Sequence, residues 1–283
     1  MSFLDHVRRC NAWTPSRYRP FLIAGQEVGL LRDDIAGWLN TRGGPFRGAA
    51  GGIVLATEPD TRGERSRALR RAAEAMVAAR LVRKLRGEDY AVVREWGDEP
   101  LAVLDRGAVN AFGVRAFGLH VNGIVRRDSR PALWIGRRAP DKAVDPDKLD
   151  NMVAGGQPAG LSLAENLVKE AAEEAAMDAA LALRAVPVGT ISYRMETETG
   201  LRRDTLFVYD LDLPADFVPR NTDGEIVAFA LMDAAEVAER VRTGDEFKFN
   251  VNLVIIDFLI RHGLLTAADP DFAALSAGLR MPP

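Results

Sequence analysis

Residues 155–177 read GGQPAGLSLAENLVKEAAEEAAM, a loop rich in glycine that runs into a segment with helical periodicity. Ser162 opens the helix. Its hydroxyl can accept from the backbone N–H of Glu165 while the Glu165 carboxylate reaches back, which is a capping box and gives Glu165 a structural role. At about 100° per residue, Leu163, Leu167, Ala171 and Ala175 form one stripe, and Asn166, Glu170, Glu173 and Glu174 fall on its neighbour. Each like-charge pair at this spacing costs only about 0.2–0.5 kcal/mol on a solvated helix. Charge spacing alone, with Lys169 offsetting Glu173, therefore also describes a plain solvated face.

The preceding loop, AGGQPAG at 154–160, supplies the context. Glycines let the backbone approach a ligand closely, and a loop leading into a helix N-terminus suits phosphate. Phosphate beside bare carboxylates is repulsive unless hard divalent cations lie between them. Mg²⁺ prefers such oxygen ligands and retains waters.

These residues resemble the Nudix hydrolase signature, GX5EX7REUXEEXGU with U aliphatic. Glu170, Glu173 and Glu174 fall on the REUXEE glutamates, and Gly155 and Gly156 precede the turn. The chain departs from the pattern at Leu161, where the first glutamate stands, at Lys169 in place of arginine, and at Ala176 in place of the late glycine. Lys169 keeps a cation able to orient a carboxylate but loses the planar fork of arginine. Ala176 is expected to let the helix run on into Met177. The departures leave the three glutamates intact, so the expectation is an active enzyme, with a non-catalytic diphosphate-binding module as the competing reading.

The resemblance extends to WIGRR, PDKLDNMVAGG, DGEIVAFALM and FKFNVNLVIIDFLIRHG. Together they are similar to the Nudix subset related to the region accompanying fungal thiamine pyrophosphokinase and to plant plastid Nudix enzymes, which carry an N-terminal domain of similar length. The resemblance implies a Nudix α/β/α sandwich with a mixed sheet, preceded by a smaller α/β domain. It implies Mg²⁺-dependent hydrolysis, with Mn²⁺ as a substitute, of a diphosphate linkage in thiamine diphosphate or its oxidised or damaged analogues, giving monophosphates. A nucleoside-diphosphate-derivative pyrophosphatase and a prenyl-diphosphate isomerase share the fold and stay open.

In the implied site, Glu170 and Glu174, with Glu173 close by, hold the metal, and a backbone carbonyl of the Gly155–Gly156 turn adds a ligand. Glu225 is the candidate carboxylate from outside the helix, as metal ligand or base. Arg137 and Arg138 end a predicted strand and are candidates for phosphate oxygens, with strand alternation sending them to opposite faces. Tyr193, Phe229 and Phe247 would form a wall for a heterocycle or else belong to the core. His120 is read as a satisfied strand histidine or else a general base.

The rest of the 283-residue chain constrains partners. A formal charge of −3 and 47% apolar content describe a globular chain whose overall field gives nucleic acid no support. The arginine-crowded helix expected over 62–86 lacks interleaved aromatics for base stacking. Cys10 is alone, and His6, His120 and His262 are widely separated, so neither an internal disulfide nor a Cys/His zinc site is expected. No run of eighteen apolar residues and no leader-like N-terminus occurs, so the expectation is a cytoplasmic protein with a small-molecule diphosphate substrate and no membrane or nucleic acid partner.

The expected organisation is an N-terminal α/β domain over 1–111, a Nudix domain over 112–265 and an appendage over 266–283. The first includes a helix near 2–11, a strand at FLIAGQEVGLL, a helix at RDDIAGWLNT and a strand at GGIVLAT. TRGGPFRGAAGG, 41–52, has neither GxxxxGK[ST] nor GxGxxG and reads as an ordinary loop. A hairpin turning at DSRP, a second joining GTISYRMETE to DTLFVYDLDL, and a closing helix at VNLVIIDFLIRH complete the second part. The N-terminal domain either covers the pocket or helps form a homodimer.

Overall fold

Ala24 and Gly25 both take positive φ, 50° and 76°, and fold the single strand expected at 21–31 into a hairpin. Left-handed conformation at both central residues is what a two-residue turn demands when its strands twist to the right. The structure, a computed structural model, describes residues 1–49, 51–127 and 130–281. The chain runs α1 (Phe3–Cys10), β1 (Tyr18–Ile23), β2 (Gln26–Arg32), α2 (Asp33–Thr41), β3 (Phe46–Ala49), β4 (Gly52–Leu55) and α3 (Arg62–Ala78). Next come β5 (Asp89–Val92), β6 (Ala102–Asp105), α4 (Val109–Phe112), β7 (Arg115–Arg127), β8 (Arg130–Arg138), β9 (Leu149–Asn151) and β10 (Val153–Gly156). Then follow α5 (Leu163–Ala175), α6 (Ala179–Ala182), β11 (Val186–Thr197), β12 (Gly200–Asp212), β13 (Ile226–Asp233), α7 (Ala234–Thr243), α8 (Val251–Arg261) and α9 (Phe272–Gly278).

The first sheet has the order β2-β1-β4-β3, with β1 and β4 parallel. β3 forms inside the stretch read as an ordinary loop. Phe21, Ile23, Leu31, Ile35, Leu69 and Met76 close this core, and β5 and β6 form a separate two-stranded ladder beside it. α3 stops eight residues short of the expected Arg86. Arg80 takes φ 60° and the N–H groups of Leu81 and Val82 turn back to the Met76 carbonyl, because Val82 is buried in the core.

The second sheet is mixed, in the order β11-β12-β7-β8-β13, with β10 added to β7 and β9 to β8; only β12 and β7 run parallel. α5 covers one face through Leu167, Ala171 and Ala175, packed with Leu119, Val121 and Val153. α7 and α8 cover the other through Val237, Val241, Leu253 and Phe258, packed with Ile124, Leu133 and Ile135. This is the α/β/α sandwich, preceded by the smaller α/β part. Val7 and Cys10 of α1 and Leu275 of α9 are buried on the α8 side. Burial pushes the Cys10 thiol up to about 12, which makes it inert. β7 and β8 pair as far as Arg127 opposite Arg130; Asp128 and Ser129 of the expected DSRP turn lie outside the described residues.

Candidate active site

α5 begins with the expected capping box: Ser162 Oγ accepts from Glu165 N–H at 3.2 Å, and the Glu165 carboxylate accepts from Ser162 N–H at 2.8 Å. The loop before it is held from inside. Asn166, fully buried, donates to the Gly156 carbonyl at 2.8 Å and to Gln157 Oε1 at 3.1 Å, and Gln157 donates to the Leu161 carbonyl at 2.7 Å. At the other end α5 does not run on. Ala176 caps it in the left-handed region (φ 51°, ψ 36°), its N–H returning to the Ala171 carbonyl. The chain must reverse there because Met177 is buried under α5 and Asp178 caps the next helix through Leu181 N–H at 2.8 Å.

The three glutamates have different environments. Glu174 is 3% exposed, and its Oε2 accepts from Ala154 N–H at 2.7 Å. Burial pushes its carboxyl well above the ordinary range; the Ala154 bond opposes this, while Asp150 and Glu170 add to it. Burial also raises Glu170, against the pull of Lys169. Glu173 faces solvent. Lys169 Nζ bonds Glu170 at 3.0 Å and Glu173 at 2.7 Å, so one ammonium holds both. Among the described residues, no group of three or more His, Cys, Asp or Glu side chains is arranged to hold a metal.

The donor chemistry at Glu170 and Glu174 nevertheless fits a hard divalent cation. Burial drives both carboxyls, one helical turn apart, toward the protonated form, with Glu173 adding to this at Glu170 and Asp150 and Glu170 adding to it at Glu174, and a cation held by the two relieves these effects. Gly155 allows the close approach: a Cβ there would stand 2.3 Å from Glu170 Cδ.

The other expected residues are placed unequally. Glu225 precedes β13 and pairs with Lys142; burial alone would raise its carboxyl, and Lys142 overrides this to hold it low. Arg138 is buried on the α5 side, with Nη1 2.6 Å from Asp150 and its other nitrogens on the Asp145 and Val144 carbonyls. Lys248 reaches the same Asp150 oxygen at 3.3 Å. Arg137 lines a cavity with Ile135, Leu149, Arg240 and Glu246, on the α7 side, so it is not brought together with the glutamates. His120 is buried, its Nδ1 2.9 Å from Asn151 Oδ1. Tyr193 and Phe247 are fully buried in the α8-side core and form no wall for a ligand, and Phe229 packs against the α5-side cluster.

Several residues at this site had no sequence signal. Tyr90 and Arg106 come from the N-terminal part and meet β10 at Gly156. Trp96 is 44% exposed and rests on Phe117 and Phe207, with ring centroids 4.9 and 4.8 Å away. Phe117 is next to the loop, its carbonyl accepting from Gln157 N–H at 2.9 Å. The pairing of β10 with β7 places these rings; no local spacing announces it.

Relatives extend along the whole arrangement. The chain is 39% identical over 282 residues to Nudix hydrolase 24, chloroplastic, of Arabidopsis thaliana, covering 98% of this chain and 77% of the relative. The chain belongs to the Nudix hydrolase family. It is thus an enzyme of the Nudix pyrophosphohydrolase type. Nudix hydrolase 20, chloroplastic, of the same plant is 36% identical over 98% of this chain and 77% of its own length. The uncharacterized protein YJR142W of Saccharomyces cerevisiae is 32% identical over 69% of this chain and 60% of its own. Residues 2–116 match a family described as a domain of unknown function, DUF4743. Among solved structures, DR0079 from Deinococcus radiodurans aligns with 59% of this Nudix chain and 96% of its own at 23% identity, TM-score 0.44. No helix among the described residues is long and apolar enough to cross a membrane.

Proposed function

We propose that this Nudix enzyme is a cytoplasmic, Mg²⁺-dependent hydrolase of small organic diphosphates, acting on thiamine diphosphate or its oxidised or damaged analogues and releasing monophosphates. The observation that carries the reading is the Glu170 and Glu174 pair one turn apart, the first partly exposed against Gly155 and the second buried against Ala154. Glu170 and Glu174 would hold the metal, with Glu173 reachable once Lys169 swings away. A bound divalent cation neutralises diphosphate charge and makes its water a better nucleophile. Lys169 orients Glu170 and favours its ionised form against the effect of burial. Glu225, held ionised by Lys142, is the carboxylate outside the helix able to accept a proton from the attacking water. The exposed face of Trp96 offers a heteroaromatic ring a stacking surface beside the loop.

The whole-chain organisation supports the thiamine-type substrate, since the resemblance that implies it includes the N-terminal domain. A panel of thiamine diphosphate, its oxidised analogues, nucleotide sugars and dinucleotides, incubated with Mg²⁺ or with chelator, tests the reading. Monophosphate release from the thiamine-type compounds with Mg²⁺ alone is expected. Preference for a nucleotide sugar or dinucleotide, or a product that retains both phosphates, would overturn the substrate assignment.

A further inference from the structure

Gly155 and Gly156 are successive residues of β10, and each has its side-chain space taken by a different partner. At 155 the space belongs to Glu170. At 156 a Cβ would stand 1.6 Å from the Tyr90 hydroxyl and 3.3 Å from Arg106 Cζ. Both are residues of the N-terminal part, which also docks on the loop through Ala159 N–H and the Asp89 carbonyl at 2.8 Å.

Arg106 is built into this position. It sits on a turn where the Asp105 carboxylate accepts from the N–H groups of Arg86, Gly87 and Gly107 at 2.7–2.8 Å. Its own N–H bonds the Glu88 carbonyl at 2.8 Å. The guanidinium uses one nitrogen on Glu88, at 2.9 Å, and lies 5.7 Å from the centre of the Tyr90 ring. Its side chain is 51% exposed, and among the described residues its other nitrogens make no hydrogen bond. Tyr90 is 5% exposed, and its hydroxyl, aimed at Gly156, likewise has no hydrogen-bond partner among the described residues. Arg106 also acts on Glu170 and on Glu225, favouring the ionised form of each, so it stands within electrostatic reach of the carboxylates from both parts of the site. A planar fork with free donors beside a glycine strand is suited to phosphate oxygens.

We propose that the N-terminal domain completes the active site, with the Arg106 guanidinium binding the diphosphate and the Tyr90 hydroxyl donating to it across Gly156. The inference rests on the hydrolase reading and gives the domain of unknown function a substrate-binding role.

The test uses the full chain with Mg²⁺ and imidodiphosphate, a non-hydrolysable diphosphate, followed by calorimetry, together with steady-state kinetics on the best substrate of the panel. Arg106→Ala is expected to weaken imidodiphosphate binding and raise KM at least about tenfold, with Arg106→Lys intermediate and Mg²⁺ binding in the absence of diphosphate unchanged. Tyr90→Phe, which removes one hydroxyl and keeps the packing, is expected to weaken binding about threefold and serves if Arg106→Ala folds poorly. Unchanged imidodiphosphate affinity in Arg106→Ala, or in Tyr90→Phe when the first variant does not fold, overturns the inference while wild-type hydrolysis leaves the proposed function standing. Conversely, weakened binding in the variants with no turnover of any panel compound supports the diphosphate site and removes the hydrolase reading.

Discussion

Glu174 Oε2 accepts a 2.7 Å hydrogen bond from Ala154 N–H, tying the metal-helix candidate to the strand that feeds its own loop. The bond is made by a carboxyl that burial drives toward protonation, so keeping it ionised costs the fold stability. Glu174→Gln keeps an oxygen for Ala154 and removes the charge. The expected result is a loss of hydrolysis of at least about a hundredfold, with metal-free Tm equal to or above wild type. Activity assays and thermal melts in chelator check both; an active variant would remove Glu174 from the site.

At the end of the same helix, Ala176 occupies a conformation that costs an L-residue about 1–2 kcal/mol and glycine little. Part of the gain from substitution is lost to the greater freedom of glycine in the unfolded chain. Ala176→Gly should therefore stabilise by about 0.5–1 kcal/mol, a rise in Tm of about 2 °C, without changing KM. Differential scanning calorimetry reads the shift, and a lower Tm would contradict the assignment of strain.

The buried His120 predicts a pH response. Burial, with Lys248 adding, pulls its pKa down to about 4, below the 6.5 of an exposed histidine. The unfolded chain therefore binds a proton that the folded chain refuses between these values. The stability from neutral His120 is complete above pH about 6.5 and is lost as pH falls toward 4, on the order of 3 kcal/mol. His120→Gln, which can still bond Asn151, should flatten the fall in Tm between pH 7.5 and 5. An unchanged slope in the variant would place the titration elsewhere.

The acidic helix was legible because its information is local: the cap, the apolar stripe and the glutamates all lie within residues 162–175. The end of α5 was not, since the reversal at Ala176 is imposed by burial of Met177 in a core assembled from distant strands. Strand alternation separates Arg137 from Arg138 but does not say that Asp150 will take Arg138. Similarly, Val7 and Cys10 mark an apolar face on α1 without saying that it covers the second sheet. Arg106 was hidden for the same reason: its partner Gly156 is fifty residues away, and a lone arginine on a turn has no pattern of its own.

Mn²⁺ titration of wild type and Glu174→Gln, read by electron paramagnetic resonance with and without imidodiphosphate, asks whether Glu170 and Glu174 form a cradle for a divalent cation. Saturable loss of the free Mn²⁺ signal is expected with wild type, strengthened by imidodiphosphate, with that binding weakened at least about tenfold in the variant. Equal binding by the two proteins, or no binding by folded wild type even with the diphosphate present, would contradict it.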